Sequence, residues 1–244
     1  MILSATDTVI IKESTSVIHS LPVNMELADA ADFQSYTNYT TQPVLLKTVS
    51  NVWLSPDGVV YQKNKLANDT LTDSTHAGYY QYKHLIKKKL LAKKIQLNAS
   101  EKYLLVTNLY AAGHFHWFCE VLPKLIMLTK DFTKELSLLL PDKAYIKNMG
   151  VESLKWLGMH FKQTIFLSDD CFYKVPELLY INNVSLGGLN PVLMQAIQNK
   201  LNANKSHSAN KLYLSRKKAG FRKVLNEDDL LPLLQKYNVT RWRS

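Results

Sequence analysis

The stretch of the chain richest in groups that can do chemistry is Gly113-His114-Phe115-His116-Trp117-Phe118-Cys119-Glu120-Val121-Leu122-Pro123-Lys124-Leu125. His116 and Glu120 are four residues apart, so on a helix they share one face and can hydrogen-bond. An imidazole beside a carboxylate suits proton transfer. His114, His116, Cys119 and Glu120 are all possible metal ligands. Their spacing fits no single helical or strand face, and no second cluster follows, so no metal is expected. His114 and Cys119 are expected to be structural, Cys119 as core rather than nucleophile. A second group is Tyr213-Leu214-Ser215-Arg216-Lys217-Lys218, followed by Arg222, Asn226 and Glu227. Arginines around a strand-to-helix turn suit contact with phosphate, with solvated loop charges as the plainer reading.

These residues need elements to hold them. Tyr103-Leu104-Leu105-Val106-Thr107 reads as a buried strand, Asn108 to Gly113 as a loop, and His114 onward as a helix. In α/β folds, ligands collect at the carboxyl ends of strands, where such loops lie. Phe115, Phe118, Cys119, Leu122, Leu125 and Ile126 form the helix's apolar stripe, and Pro123 is expected to kink it.

Upstream, residues 1–42 read as a loosely packed polar lead-in. Strand-like runs at 43–49, 51–54 and 59–61 surround Ser55-Pro56-Asp57-Gly58, a hairpin turn with Pro fixing φ and Gly accepting positive φ. Residues 79–96 read as one basic amphipathic helix, with Tyr82, Leu85, Ile86, Leu90 and Leu91 on one stripe and lysines mostly elsewhere. Such a helix lies on a membrane surface or covers a sheet, and the absence of Trp and Phe favours the sheet. Downstream come a strand at 135–140, a helix at 144–157 stopped by Gly158, and a strand at 163–167. Two further strands, 171–175 and 178–181, are expected to be divided by Pro176. Gly187-Gly188 reads as a loop, and Asn190-Pro191 as a cap and first turn for a helix. This alternation predicts an α/β domain over 43–201. A polar linker is expected at 202–210, and a second unit at 211–244 with a strand, a basic loop, a helix capped by Asn226 and a strand near Asn238.

The chain has 244 residues and a net charge of +10, of which residues 199–244 supply most, with 11 Lys/Arg against 3 Asp/Glu. A basic tail suits an anionic partner: a nucleoside diphosphate, a nucleic acid or an anionic membrane. No nucleic-acid-binding fold signature accompanies the charge, so nucleic acid is not expected. No apolar run reaches bilayer length, and Met1 to Ser20 lacks the pattern of a secretory signal. Two cysteines set no disulfide framework, and the expected location is cytoplasmic, with peripheral contact at the cytoplasmic (inner) membrane face as an option.

The two motifs together resemble the family 61 glycosyltransferases, whose members make capsular polysaccharide and lipopolysaccharide, among other glycans. That family has a His-Trp pair, a Glu and Leu-Pro-Arg/Lys, matched here by His116-Trp117, Glu120 and Leu122-Pro123-Lys124. It also has a strand ending Ser-Arg, a second Arg and an Asn-Glu pair, matched by Ser215-Arg216, Arg222 and Asn226-Glu227. The resemblance implies a GT-B architecture: a complete N-terminal Rossmann-like domain for the acceptor, and a second one for a nucleotide sugar. It implies inverting transfer, with a nucleotide sugar and a glycan or lipid-linked glycan acceptor as partners, and no cofactor beyond the nucleotide-sugar substrate. His116 or Glu120 would act as base, Arg216, Arg222, Asn226 and Glu227 would bind the donor, and Trp117 would stack on the acceptor sugar or simply pack. The family's later His/Gly-Ala-Gly segment has no counterpart here, so the second domain is expected to be truncated after its first strand and helix. A non-catalytic remnant or acceptor-binding module of a polysaccharide assembly system is the alternative.

Overall fold

The computed structural model describes residues 7–21, 33, 37–182, 191–202, 211–218 and 224–242. The chain falls into two compact units, Met1–Ala203 and Asn204–Ser244. The expected linker lies, apart from Asn202, outside the described residues, as do the Gly187-Gly188 loop, Asn190 and Arg222.

The strands of the first unit are β1 (Asp7–Lys12), β2 (Ser16–Ile18), β3 (Asn38–Thr40), β4 (Val44–Leu54), β5 (Val60–Gln62), β6 (Lys65–Leu66), β7 (Lys93–Gln96), β8 (Tyr103–Leu105), β9 (Ser137–Pro141), β10 (Gln163–Leu167) and β11 (Cys171–Ile181). Its helices are α1 (residues 77–91), α2 (residues 114–126), α3 (Lys130–Lys134), α4 (residues 144–156) and α5 (Pro191–Asn202). The main sheet runs β10-β9-β8-β11-β4-β5-β6, with β1 also on β4 and β7 also on β11. Pairings from β10 to β11 are parallel, and those around β4, β5 and β6 are antiparallel. The protein is therefore α/β, with a mixed sheet.

Strand β9, Ser-Leu-Leu-Leu-Pro, is buried at every position, as a parallel strand covered on both faces must be. Leu104, Val106, Leu138 and Leu140 pack on one face against Trp117, Val121, Leu122 and Leu125 of α2. Tyr103, Leu105 and Leu139 point the other way, to Leu167, Val175 and Leu178. The strand order reverses beside β8: β9 and β10 lie on one side of it and β11 on the other. In α/β sheets, ligands are held outside the carboxyl ends of strands at such a reversal, which here is the end of β8.

Several local expectations change. Residues 1–42 contain β1, paired to β4, and the β2–β3 ladder, not only a lead-in. The helix expected over 79–96 ends at Leu91, and Lys93–Gln96 is instead β7, drawn into the sheet by β11. Of its expected core stripe only Leu85 is buried; Tyr82, Ile86, Leu90 and Leu91 are exposed. Pro176 does not divide β11: the ladder to β4 skips it, and the opposite residue, Asn51, sits at φ 55. A proline lacks the ladder N–H, so it is tolerated where its neighbour has already stepped out of extended geometry.

The hairpin forms as expected, with Ser55 N–H donating to Val59 O at 3.0 Å and Gly58 at φ +78. A Cβ on Gly58 would lie 2.6 Å from the carbonyl oxygen of Thr107, so this turn presses on the loop after β8. Pro123 is accommodated by a π turn at Trp117–Val121, which opens the backbone where the proline ring would crowd the carbonyl four residues back.

The second unit is a βαβ motif: β12 (Lys211–Leu214), a 3₁₀ turn (Glu227–Leu230), α6 (Leu231–Lys236) and β13 (Val239–Trp242), with β12 and β13 parallel. Asn226 precedes the turn but makes no side-chain capping bond.

Candidate active site

At the carboxyl end of β8 the backbone turns through Asn108, whose Oδ1 accepts from the Tyr110 N–H at 3.0 Å. This Asx turn fixes the asparagine's side chain. Its Nδ2 donates to Oε2 of Glu120 at 2.7 Å, inside the protein. The same Oε2 lies 3.0 Å from Nδ1 of His116, one helical turn earlier. Nδ1 is buried, and its N–H direction misses the carboxylate, so the contact is electrostatic rather than an aligned hydrogen bond. Asn108 and Glu120 are buried, whereas the His116 side chain is 24 % exposed. Tyr110 and Phe115 flank the imidazole, their ring centres 5.1 and 5.3 Å away.

Lys124, a further turn along, is buried, and its Nζ donates to the Val106 carbonyl at 3.4 Å. Burial pulls its pKa down to about 8, against the opposing pull of the Glu120 charge. His116, Glu120 and Lys124 thus share one side of α2, a carboxylate between two basic groups. Asn108 is not picked out by the sequence reading, and Lys124 enters it only as part of the Leu122-Pro123-Lys124 match, with no role of its own. For Lys124 the signal was present, eight residues after His116 and four after Glu120, in the stretch quoted for its other members. Asn108 carried only the Asn-X-Tyr turn as a clue.

The remaining expected residues are placed as follows. Trp117 is fully buried, and its indole N–H donates to Ser153 Oγ at 2.8 Å. A Cβ at Gly150 would come within 3.1 Å of the ring. The tryptophan therefore packs in the core and has no face to offer a sugar, which corrects its expected stacking role. His114 pairs with the Tyr145 hydroxyl at 3.0 Å. Burial first, and the Glu120 charge second, push the Cys119 thiol up, so it stays protonated at neutral pH. Among the described residues no three His, Cys, Asp or Glu side chains gather as metal ligands.

In the second unit Arg216 is exposed after β12, and Asn226 is exposed before the 3₁₀ turn. Glu227 is 2 % exposed. Ser215 Oγ donates to its Oε1 at 2.5 Å, and Arg241 Nη2 bonds to the same oxygen. These bonds, Ser215 first, hold its carboxyl below the usual range. Its carboxylate braces β12 against β13 instead of facing solvent.

A second His–carboxylate pair lies under α1. Nε2 of His84 is 3.1 Å from Oδ2 of Asp57, and Nδ1 is 2.8 Å from the Tyr61 hydroxyl. A cavity of about 290 Å³ beside it is lined by Tyr79, His84, Lys87, Asp57, Asp169 and Asp170, among others.

An α/β unit with an imidazole–carboxylate pair at the strand-order reversal has the layout of an enzyme that acts on a bound ligand. Residues 114–244, more than half of the chain, match the family described as Glycosyltransferase 61, and the protein belongs to that family. No curated protein and no solved structure matches the chain. The matched region opens at the first residue of α2 and takes in His116, Glu120, Lys124 and the whole second unit.

Proposed function

We propose that the protein moves a sugar from a nucleotide-sugar donor to a glycan or lipid-linked glycan acceptor, with inversion, in the making of a surface polysaccharide. Family membership supports the transferase class. The observation that carries the reading is the Asn108–Glu120–His116 line, in which two buried groups hold a third that reaches solvent.

In this reading Nε2 of His116 takes the proton of the acceptor hydroxyl. The oxygen attacks the anomeric carbon from the face opposite the diphosphate, the bond to the diphosphate breaks, and the configuration inverts. Glu120 balances the positive charge that forms on the ring, and Asn108 keeps the carboxylate turned toward it. Catalytic hydrogen bonds are often out of line in the free enzyme and tighten around substrate, which suits the offset at Nδ1. Arg216 and Arg222, with Asn226 nearby in sequence, are the proposed donor ligands, because forked guanidiniums match phosphate oxygens. Glu227 would position their loop. The two units are read as the acceptor and nucleotide-sugar domains of a GT-B enzyme.

Titration calorimetry with UDP, GDP and CDP tests this. Binding of one of them, weakened about tenfold or more by Arg216→Ala, is expected. Binding of none of them overturns the transferase reading for this chain; glycan binding without nucleotide binding would mark a non-catalytic acceptor module.

A further inference from the structure

Helix α1 is apolar on two sides. Its inner side, Tyr80, His84 and Leu85, is buried with Val59, Tyr61, Leu66 and Phe172 of the sheet. Its outer side carries Tyr82, Ile86 and Leu90, which are 67, 56 and 74 % exposed, with Tyr79 and Leu91, 49 and 77 % exposed, at the rim of the cavity beside His84. From Tyr79 to Leu90 the spacing is three, four and four, so these side chains form a row along one face. A helix that only covers a sheet turns a polar face to water. This one exposes an apolar row, and exposed Lys83, Lys87, Lys93 and Lys94 lie in the same segment. No Asp or Glu occurs between Asp73 and Glu101.

We propose that this face docks on an anionic phospholipid surface. Leu90, Leu91 and Ile86 would enter the boundary between headgroups and acyl chains, and Tyr79 and Tyr82 would sit at headgroup depth, where tyrosine is enriched. The lysines would reach lipid phosphates while their stems lie along the apolar row. The charge argues for lipid over a second copy of the chain, since self-pairing would bring together two sets of lysines, Lys83, Lys87, Lys88, Lys89, Lys93 and Lys94 in each copy, against only Asp57, Asp169 and Asp170 at the cavity edge. This docking is independent of the proposed chemistry at His116, and either can fail without the other.

The test is co-sedimentation of the full chain with unilamellar vesicles of phosphatidylcholine, with and without phosphatidylglycerol. The wild type is expected to pellet with the anionic vesicles and to be released as salt rises. Ile86→Ser/Leu90→Ser should lower the partition coefficient roughly tenfold or more, and Lys83→Glu/Lys87→Glu about tenfold. These side chains are exposed, so both variants should melt with the wild type by circular dichroism. Failure of the wild type to pellet, equal pelleting with neutral vesicles, or undiminished binding by folded variants overturns the proposal. So does a dimer by light scattering that Ile86→Ser/Leu90→Ser dissolves while vesicles go unbound.

Discussion

His84 and His116 each stand beside a carboxylate, at 3.1 Å from Asp57 and 3.0 Å from Glu120. The pairs differ in everything around that contact. Both ring nitrogens of His84 have partners, its side chain is 6 % exposed, and the Tyr61 hydroxyl that meets it is also 3.0 Å from the Tyr80 carbonyl. The His84 hydrogen bond holds Asp57 below the usual carboxylate range despite partial burial. Both imidazole nitrogens there are used, and the result is a brace between α1 and the β4–β5 hairpin. His116 has one nitrogen near a carboxylate, poorly aligned, and a ring that reaches solvent. Composition alone does not separate these two histidines; their exposure and the partners at each ring nitrogen do.

The two histidines should differ most on substitution of His116. His116→Gln is expected to lower turnover by roughly 10²–10⁴-fold, the usual share of a general base, while shifting stability by no more than about 1 kcal/mol. Single-turnover rates against nucleotide-sugar donors, alongside urea melts, check both halves. A variant that loses stability instead would make His116 a second brace. His84→Phe is the mirror test: loss of about 2–4 kcal/mol, because Tyr61 and Asp57 lose a buried partner, with any folded fraction keeping its turnover per molecule. Gly58→Ala should cost about 2 kcal/mol from positive φ and the clash with Thr107, and should also disturb the loop that carries Asn108. Hydrogen exchange at Val106 to Tyr110, faster than the global loss alone explains, is the expected mark.

The difference between the two pairs was half legible in the sequence. His116 and Glu120 were visible because a helix fixes the i, i+4 relation locally. The strand–loop–helix around them, the Pro-Asp-Gly hairpin and the strand at 163–167 were visible for the same reason. His84 and Asp57 are 27 residues apart and meet only because the hairpin folds under α1. Asn108 is set by a loop, and Trp117 is core because Gly150 on another helix leaves room for its ring. Pro176 stays inside a strand because Asn51, far away in sequence, faces it. For His84, Trp117 and Pro176 the deciding neighbour lies outside any local window. The reversed face of α1 is a different failure: periodicity located the stripe but could not say which side meets the sheet.

The smallest expected effect tests whether Lys124 belongs with the working pair. Its buried ammonium, with a pKa near 8 in the fold, lies on the Glu120 side of α2. An unfolded lysine titrates near 10.4, so between about pH 8 and 10.4 the unfolded chain binds more protons than the native one. Native stability should therefore rise with pH across that window, and the cost of burying the charge applies in full below it. From pH 7 to 9 the gain is about 1 kcal/mol. The Cys119 and Cys171 thiols, both pushed up by burial, work in the opposite sense as pH passes their unfolded values. The measurement is thus a difference: urea-melt stabilities of wild type and Lys124→Met at both pH values. Lys124→Met should lack the gain. If the two proteins respond alike, the Lys124 ammonium is not desolvated in the fold.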